Sequence, residues 1–348
     1  KIETIRNPKY AKILWTVVYD ESGEFGIGET SWGPDTVETF ILKEIAPGMI
    51  GKNPMELSKR WDEICKLGIT VRPSGAEVRS LSAIDMALHD LVGKLTEQPL
   101  YQILGGLFRE KIKIYNTCAG YSYGVNRPET YRNIPGDVDH MPDQKYEDQQ
   151  AFMTDAGKLA KSLLEEGVSA MKIWPFDQFA GKTNGEFISS KDIDKGVEPF
   201  QKIRDAVGRE MDIMVELHSM WNLPSAKRIA KALEPIEPLW YEDPIPMDNL
   251  DALADFRKFT HIPVTASETM SLRWSFRELF EKKAVDICMF DICWVGGISE
   301  ANRISAMAAA NHLPVAPHDC VGPITLINGI HLSLSAPNAM IQETVRAF

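Results

Sequence analysis

From about residue 111 onward, short apolar runs alternate with helical stretches, and this alternation restricts the possible folds more than any other feature of the chain. The runs are KIKIYNTCAG, VSAMKIW, MDIMVEL, PLWYE, PVTASE, AVDICMFD, LPVAPH and NAMIQE. The stretches between them have helical spacing and the lengths typical of repeated βα units, which build a parallel sheet. Eight such units predict an α/β fold with a closed barrel.

The first hundred or so residues have a different texture. KILWTVVYDESGEFGIGET, at 12–30, places two apolar runs around a polar turn and predicts a β-hairpin. SLSAIDMALHDLVGKLTEQPL, at 80–100, predicts a helix with a serine cap that stops before Pro99. The sequence therefore predicts a small α+β domain over residues 1–110, followed by a barrel domain over residues 111–348.

One long polar segment interrupts the βα pattern. AGYSYGVNRPETYRNIPGDVDHMPDQKYED, at 119–148, lies between the first two apolar runs. Loops of this length inside a compact domain are more often functional than idle. We expect this segment to be a lid or an assembly surface.

The composition of the chain indicates which kinds of molecule it can bind. The chain has 348 residues, 44% of them hydrophobic, and a formal net charge of −11. This charge disfavours binding to nucleic acid or to an anionic membrane, and no apolar run is long enough to span a bilayer. The five cysteines are odd in number and lack zinc-type spacing, which is typical of reduced thiols. We expect a soluble cytoplasmic protein that acts on a small molecule.

Ionisable residues lie near the ends of the apolar runs. They are Lys172, Glu216, Glu242, Glu268, Asp291, His318 and Glu343. From Glu216 onward the separations are 26, 26, 23, 27 and 25 residues, about one βα unit each. Because the carboxyl ends of barrel strands meet at one rim, where catalytic groups collect, we expect these side chains to converge on one pocket.

Three of these residues are glutamates on consecutive runs, Glu216, Glu242 and Glu268. Neighbouring carboxylates at the ends of apolar strands repel one another unless a cation lies between them. Oxygen ligands favour a hard divalent ion, so the trio predicts Mg²⁺ first and Mn²⁺ second. Each glutamate taken alone is more often a solvated cap or a salt-bridge partner, whereas the shared spacing favours a metal site. Asp243 is expected to face the other way and to be structural or to support a metal ligand from behind.

Several motifs resemble those of the enolase superfamily, mandelate racemase subgroup. They are SAIDMALHDLVGK (82–94), MVELH, WYEDP, ASE, FDICWVGGIS (290–299) and APHDCVGPI (316–324), in the order and at the intervals of that family. The resemblance implies a (β/α)7β barrel, a modified TIM barrel, with an N-terminal α+β capping domain that sets substrate specificity. It also implies Mg²⁺ bound by Glu216, Glu242 and Glu268, and a His318–Asp291 dyad that acts as the base. A homo-oligomer is implied as well.

The resemblance assigns roles to two further residues. Lys172 would place a positive charge on the substrate carboxylate, and Glu343, if protonated, would hydrogen-bond to the ene-diolate. Related racemases carry a Lys-x-Lys pair on the second strand, whereas this chain has Lys172-Ile173-Trp174. The absence of the second lysine weakens a racemase interpretation and favours elimination.

The third barrel strand supplies a second histidine. Glu216 stands where many relatives have aspartate, and His218, two residues on, is expected to face the same side of a strand. In sugar-acid dehydratases of the family, a histidine there protonates the departing hydroxyl; the other interpretation is a hydrogen-bonding residue beside the metal. Three further residues are expected to form pocket wall: Trp174, Asp177 and Trp221.

The favoured function is therefore a Mg²⁺-dependent dehydratase of a sugar acid, an aldonate or an aldarate. His318 would take the α-proton, the β-hydroxyl would leave, and the product would be a 2-keto-3-deoxy acid. A racemase or epimerase is the alternative among enzymes, with Lys172 as the second base. A non-catalytic sugar-acid-binding protein is the alternative from another class, although binding alone needs neither a metal trio nor a base dyad.

Overall fold

The computed structural model describes residues 1–67, 74–120 and 146–347, except for the side chain of Lys9. The segment at 119–148, predicted to be a lid or an assembly surface, lies almost wholly outside the described residues. The chain divides into two compact units. The first comprises Lys1–Lys113, Glu268–Arg277 and Met289–Gln342, and the second comprises Ile114–Ser267, Glu278–Cys288 and the segment from Glu343 onward. The predicted domain boundaries, 1–110 and 111–348, stay predictions.

The strands of the described residues form two sheets. They are β1 (Ile2–Arg6), β2 (Ile13–Tyr19), β3 (Phe25–Ser31), β4 (Ile114–Thr117), β5 (Ala170–Ile173), β6 (Asp212–Glu216), β7 (Trp240–Glu242), β8 (Val264–Ala266), β9 (Ile287–Cys288) and β10 (Gln342–Thr344). β1, β2 and β3 form an antiparallel sheet in which Ile13 lies opposite Ser31, so the predicted hairpin is confirmed. The other seven form a sheet of order β10-β4-β5-β6-β7-β8-β9, in which the pairs from β4 to β9 are parallel.

Helices of four to twenty residues follow most of the strands. They are α1 (Pro34–Phe40), α2 (Ala46–Met49), α3 (Leu57–Cys65), α4 (Ala76–Leu95), α5 (Leu100–Ile103), α6 (Asp148–Glu165), α7 (Asp177–Ala180), α8 (Ser190–Val207), α9 (Leu223–Leu233), α10 (Leu250–Phe259), α11 (Leu272–Glu281), α12 (Ile292–Val295), α13 (Gly297–Ala310) and α14 (Pro323–Ser335). Within the described ranges, no helix combines the length and apolar character needed to cross a bilayer.

Seven of the eight predicted barrel runs contain a strand, and LPVAPH does not. That run makes only isolated bridges, between Val315 and Ala339 and between His318 and Asp291. Its two prolines explain the difference, because neither has an N–H to donate to a ladder. The bridge at His318 nevertheless keeps the end of this run beside Asp291.

The helix predicted at 80–100 begins earlier than the sequence pattern indicates. It is α4, which begins at Ala76, after Gly75, and ends at Leu95. The predicted serine cap is wrong, because Ser80 lies inside the helix and donates its Oγ to the carbonyl oxygen of Ala76, 2.7 Å away. A serine hydroxyl can satisfy the carbonyl of the preceding turn as readily as it can cap a helix.

Helix α4 packs closely on the antiparallel sheet through two glycines of β3. A Cβ on Gly28 would lie 1.8 Å from the carbonyl oxygen of Ala83, and one on Gly26 would lie 2.0 Å from that of Ala87. Both distances are far below van der Waals contact, and the opposing atoms are backbone atoms that cannot rotate away. The GIG segment of the predicted hairpin is therefore a packing surface for α4.

Replacing Gly28 with alanine is expected to lower the free energy of unfolding by about 3 kcal/mol, since the methyl group would force α4 off the sheet. Gly48→Ala is the matched control, because a Cβ there has no neighbour within 4 Å. Alanine is the better helix former, so the control should be as stable as the wild type or slightly more stable. Urea denaturation followed by circular dichroism measures both, and equal stability of the Gly28 variant and the wild type would contradict the close approach.

The same unit joins α4 to a later part of the chain by buried polar contacts. The carboxylate of Asp85 accepts hydrogen bonds from the backbone N–H of Ser299 (2.8 Å) and from its Oγ (2.7 Å). Trp61 donates its Nε1–H to the carbonyl oxygen of Gly296, 2.8 Å away. Burial raises the pKa of Asp85, so its hydrogen bonds compensate a real desolvation cost. The start of α13 is thus held directly against α3 and α4.

Candidate active site

Lys172 lies at the centre of a buried carboxylate cluster in the second unit. Its Nζ contacts the carboxylate of Glu242, lies 2.9 Å from that of Glu343 and 3.5 Å from that of Glu216. Glu216 and Glu242 are register partners at the ends of β6 and β7, and all four side chains are at most 2% exposed. The structure therefore brings together four residues that the sequence pattern places at strand ends.

Other side chains hold the carboxylates of this cluster. Thr117 on β4 donates its Oγ hydrogen to Glu343, and Trp240 on β7 donates its Nε1–H to Glu242 Oε2, 2.9 Å away. Sequence reasoning missed both residues. The register of a parallel sheet could have indicated Trp240, since residues two apart on a strand share a face.

The cluster carries more negative charge than Lys172 can balance. Burial alone would lower the pKa of Lys172, but Glu242 and Glu343 outweigh it and hold that pKa well above its ordinary value. Burial raises the pKa of Glu216 and of Glu242, and the charge of Glu216 raises the latter further. When all are ionised, three carboxylates against one ammonium leave two negative charges uncompensated.

This excess charge fits a hard divalent cation. The available donors of the cluster are carboxylate oxygens, which suit Mg²⁺ or Mn²⁺ better than a soft metal. Among the residues described, no three His, Cys, Asp or Glu side chains form a ready coordination site. In this arrangement Glu216 and Glu242 have the ammonium of Lys172 as their cation.

His318 lies between two carboxylates in the first unit. Its Nδ1 is 2.7 Å from Asp291 Oδ2, and its Nε2 is 2.5 Å from Glu268 Oε2. Because an ionised carboxylate only accepts hydrogen bonds, each of these two contacts requires a proton on the ring nitrogen. When Glu268 turns away, Asp291 still holds the proton on Nδ1, and Nε2 becomes the nitrogen that can exchange a proton. The indole of Trp294 stacks on the imidazole, with ring centroids 5.8 Å apart. The unit therefore holds the ring of His318 in one orientation.

A second imidazole–carboxylate pair lies in the second unit. The Nδ1 of His218 is 2.6 Å from Oδ2 of Asp177, the first residue of α7, and Asp177 is buried. The strand argument for His218 is wrong, because β6 ends at Glu216 and His218 has a φ of 48°. Instead, a left-handed turn points the backbone N–H of His218 at Glu216 Oε1, 2.6 Å away. Asp177, expected to be pocket wall, is the direct partner of the histidine.

The predicted site residues thus lie in two groups, each inside one unit. Lys172, Glu216, Glu242, Glu343 and His218 form the first group, and Glu268, Asp291 and His318 form the second. The roles predicted for them stay predictions. Asp243, expected to be structural, accepts a hydrogen bond from Ser267 Oγ at 2.7 Å.

Two family models match the chain. One, described as enolase C-terminal domain-like, matches residues 155–348, which is more than half of the chain. The other, the mandelate racemase / muconate lactonizing enzyme N-terminal domain, matches residues 8–105. Together with the two sheets described above, these matches confirm the predicted fold class, an α/β fold with a (β/α)7β barrel and an N-terminal α+β capping domain.

The chain is also similar to individual proteins of known structure or activity. An enolase of the mandelate racemase subgroup from Agrobacterium tumefaciens, with a succinimide residue, sodium and phosphate, is 45% identical, with a TM-score of 0.85 over 100% of this chain and 84% of that chain. An enolase protein from Sargasso Sea environmental sequencing is 40% identical, with a TM-score of 0.87 over 100% and 85%. The D-xylonate dehydratase of Haloferax volcanii is 28% identical over 327 residues, 94% of this chain and 73% of that protein.

Proposed function

The chain belongs to the mandelate racemase subgroup of the enolase superfamily, and from this premise we propose that it is a Mg²⁺-dependent dehydratase of a sugar acid. The reaction removes the proton on the carbon beside the carboxylate and eliminates the β-hydroxyl. The similarity to a D-xylonate dehydratase supports this class of reaction. A homo-oligomer and a cytoplasmic location stay predictions.

Glu216, Glu242 and Glu268 would hold the metal ion. The two uncompensated charges of the Lys172 cluster support the first two ligands, and Glu268 comes from the sequence pattern. When bound, Mg²⁺ supplies positive charge to the carboxylate oxygens on which negative charge develops as the α-proton leaves. Mn²⁺ has similar ligand preferences and is the second choice.

His318 acts as the base in this proposal. Its Nε2 accepts the α-proton, while Asp291 on Nδ1 orients the ring and stabilises the imidazolium that forms. Glu268 lies 2.5 Å from the same Nε2, so this carboxylate must turn away before the nitrogen can accept a proton. If Glu268 binds the metal ion, its carboxylate would no longer occupy Nε2 of His318.

Lys172 acts as a fixed cation. Its ammonium and the Glu343 carboxyl, protonated when substrate is bound, contact the oxygens of the reacting carboxylate. The raised pKa of Lys172 keeps it protonated, so it is a poor base. This argues against a racemase, in which Lys172 would have to remove a proton from the opposite face.

His218 acts as the acid, and its pairing with Asp177 is the observation that carries the choice of elimination. Asp177 accepts the Nδ1–H of His218 and stabilises the imidazolium form, whose Nε2–H then protonates the leaving group. As the bond between the β-carbon and its hydroxyl oxygen breaks, the electron pair of the ene-diolate forms the new carbon–carbon double bond. The hydroxyl leaves as water, and the enol tautomerises to a 2-keto-3-deoxy acid.

Incubating the protein and Mg²⁺ with a set of aldonic and aldaric acids, followed by an assay for 2-keto acids, tests this function. We expect at least one member to give a 2-keto acid, and we expect EDTA to abolish its formation and added Mg²⁺ to restore it. Inversion at the α-carbon without a keto acid would reject dehydration in favour of racemisation. Full activity in EDTA would reject the metal.

A further inference from the structure

A cavity of about 250 Å³ in the first unit lies beside the groups that surround His318. Its lining includes Trp32, Arg79, Glu268, Thr269, Ser271 and Trp294. Glu268 is bonded to His318 and Trp294 stacks on its ring, so the cavity borders the proposed base. A space of this size admits the end of a sugar acid but not a large cofactor.

Arg79 brings a positive charge to this cavity, whose lining also includes the carboxylate of Glu268. It lies on α4 and is half-buried. Its Nη1 donates one long hydrogen bond, 3.4 Å, to the carbonyl oxygen of Trp32, and its guanidinium carbon lies 5.7 Å from the ring centroid of Trp294. No Asp or Glu in the described part of the chain forms an ion pair with it.

The unpaired guanidinium is costly. Burial lowers the pKa of Arg79, although the thiol of Cys293 and the carboxylate of Asp291 act in the opposite direction. A partly desolvated cation costs free energy unless an anion compensates it. A guanidinium has five N–H donors in a planar fork, and one long bond leaves most of them for a ligand.

A second cation, Lys12, contacts Trp32, one of the residues that line the cavity. The Nζ of Lys12 is 4.3 Å from the ring centroid of Trp32, and burial lowers the pKa of Lys12. Within the described ranges no carboxylate forms an ion pair with Lys12 either. Arg79 in the lining and Lys12 beside Trp32 together make this part of the unit attractive to an anion.

We propose that the cavity receives the distal carboxylate of the substrate, and that the substrate is a sugar diacid, an aldarate, rather than an aldonate. This inference rests on the proposed function, in which one carboxylate of the substrate is the reacting one and His318, beside this cavity, removes the α-proton. An aldonate has no other anion, so it would leave Arg79 uncompensated. An aldarate supplies a second carboxylate, which matches the guanidinium fork through two parallel N–H···O bonds.

The experiment compares six-carbon aldarates with aldonates of the same configuration, and includes the 6-phosphorylated aldonate as a different source of a distal anion. The kcat/KM of each is measured with the wild type, Arg79→Gln, Arg79→Lys and the control Lys43→Gln, which removes an exposed charge elsewhere in the unit. Circular dichroism and Tm check that each variant is folded. Calorimetry with an aldarate measures binding independently of turnover.

We expect the wild type to favour the aldarate, and Arg79→Gln to lower the aldarate-to-aldonate ratio of kcat/KM about 10- to 100-fold, mainly through KM. Arg79→Lys should recover part of the ratio, and Lys43→Gln should keep it. An unchanged ratio in Arg79→Gln, equal wild-type activity on both acids, or turnover of only the phosphorylated aldonate would overturn the aldarate assignment. If no acid gave a 2-keto acid, the proposed function would fail, while aldarate binding lost in Arg79→Gln would still support the anion site.

Discussion

The His318→Asn variant is expected to lose between about 10²- and 10⁴-fold in kcat for dehydration, because no other group in the proposal removes the α-proton. Asparagine keeps a polar side chain of similar size near Asp291 but cannot accept a proton at the position of Nε2. Formation of 2-keto acid measures the loss, and exchange of the α-proton with deuterium oxide measures the proton-transfer step directly.

His261→Asn is the matched control for this variant, since His261 is exposed and precedes β8, whereas Glu268 follows that strand. It should retain wild-type kcat. Calorimetric titration with Mg²⁺ should give similar affinities for the wild type and for His318→Asn, because His318 is not a proposed ligand. Near-normal turnover, or unchanged deuterium exchange, in His318→Asn would remove the imidazole from the mechanism.

The Lys172→Met variant is expected to lose about 3–5 kcal/mol of unfolding free energy in EDTA, because three buried carboxylates would lose the ammonium that they share. Methionine preserves most of the volume, so the loss reports charge rather than packing. Lys195→Met, an exposed change on α8, is the control and should be neutral. Urea denaturation in EDTA and in Mg²⁺ measures both variants, and Mg²⁺ should restore part of the stability.

The same variant should show a distinct pH dependence in EDTA. Burial raises the pKa of Glu216 and of Glu242, so the folded state binds more protons than the unfolded state around those values. The contribution of these two carboxyl groups to stability is therefore largest at low pH, and it falls as the pH rises through their raised pKa values. Without Lys172 this fall should be steeper than in the wild type. A flat profile in the variant would mean that the carboxylates are solvated rather than buried.

Sequence reasoning located the strand ends well, for a physical reason. A charged residue at the end of an apolar run must meet a partner, and the parallel register brings successive run ends together, as at Glu216 and Glu242. The cap hairpin followed from alternation around a polar turn, and its glycines could have indicated the close approach of α4.

The features that escaped prediction depend on backbone turns and on contacts distant in sequence. His218 pairs with Asp177 because a left-handed φ turns the chain just after β6, and nothing in strand alternation signals that turn. In the sequence, Arg79 is indistinguishable from an ordinary exposed helix residue. Its role is indicated by its contacts with Trp32 and Trp294, which lie far along the chain from it. Only a three-dimensional arrangement shows that no Asp or Glu of the described residues forms an ion pair with it.

The hydrogen bonds from Ser299 to Asp85 and from Trp61 to Gly296 have a consequence for protein engineering. They make the first 113 residues and the stretch around α13 parts of one compact unit, which also contains His318 and Arg79. A chimera that took only its N-terminal segment from a relative would break these hydrogen bonds. Buried polar groups on both sides of the junction would then have no partner. The N-terminal segment should therefore be exchanged together with residues 289–342, so that it arrives with its own polar partners and with its own copy of His318, the proposed base.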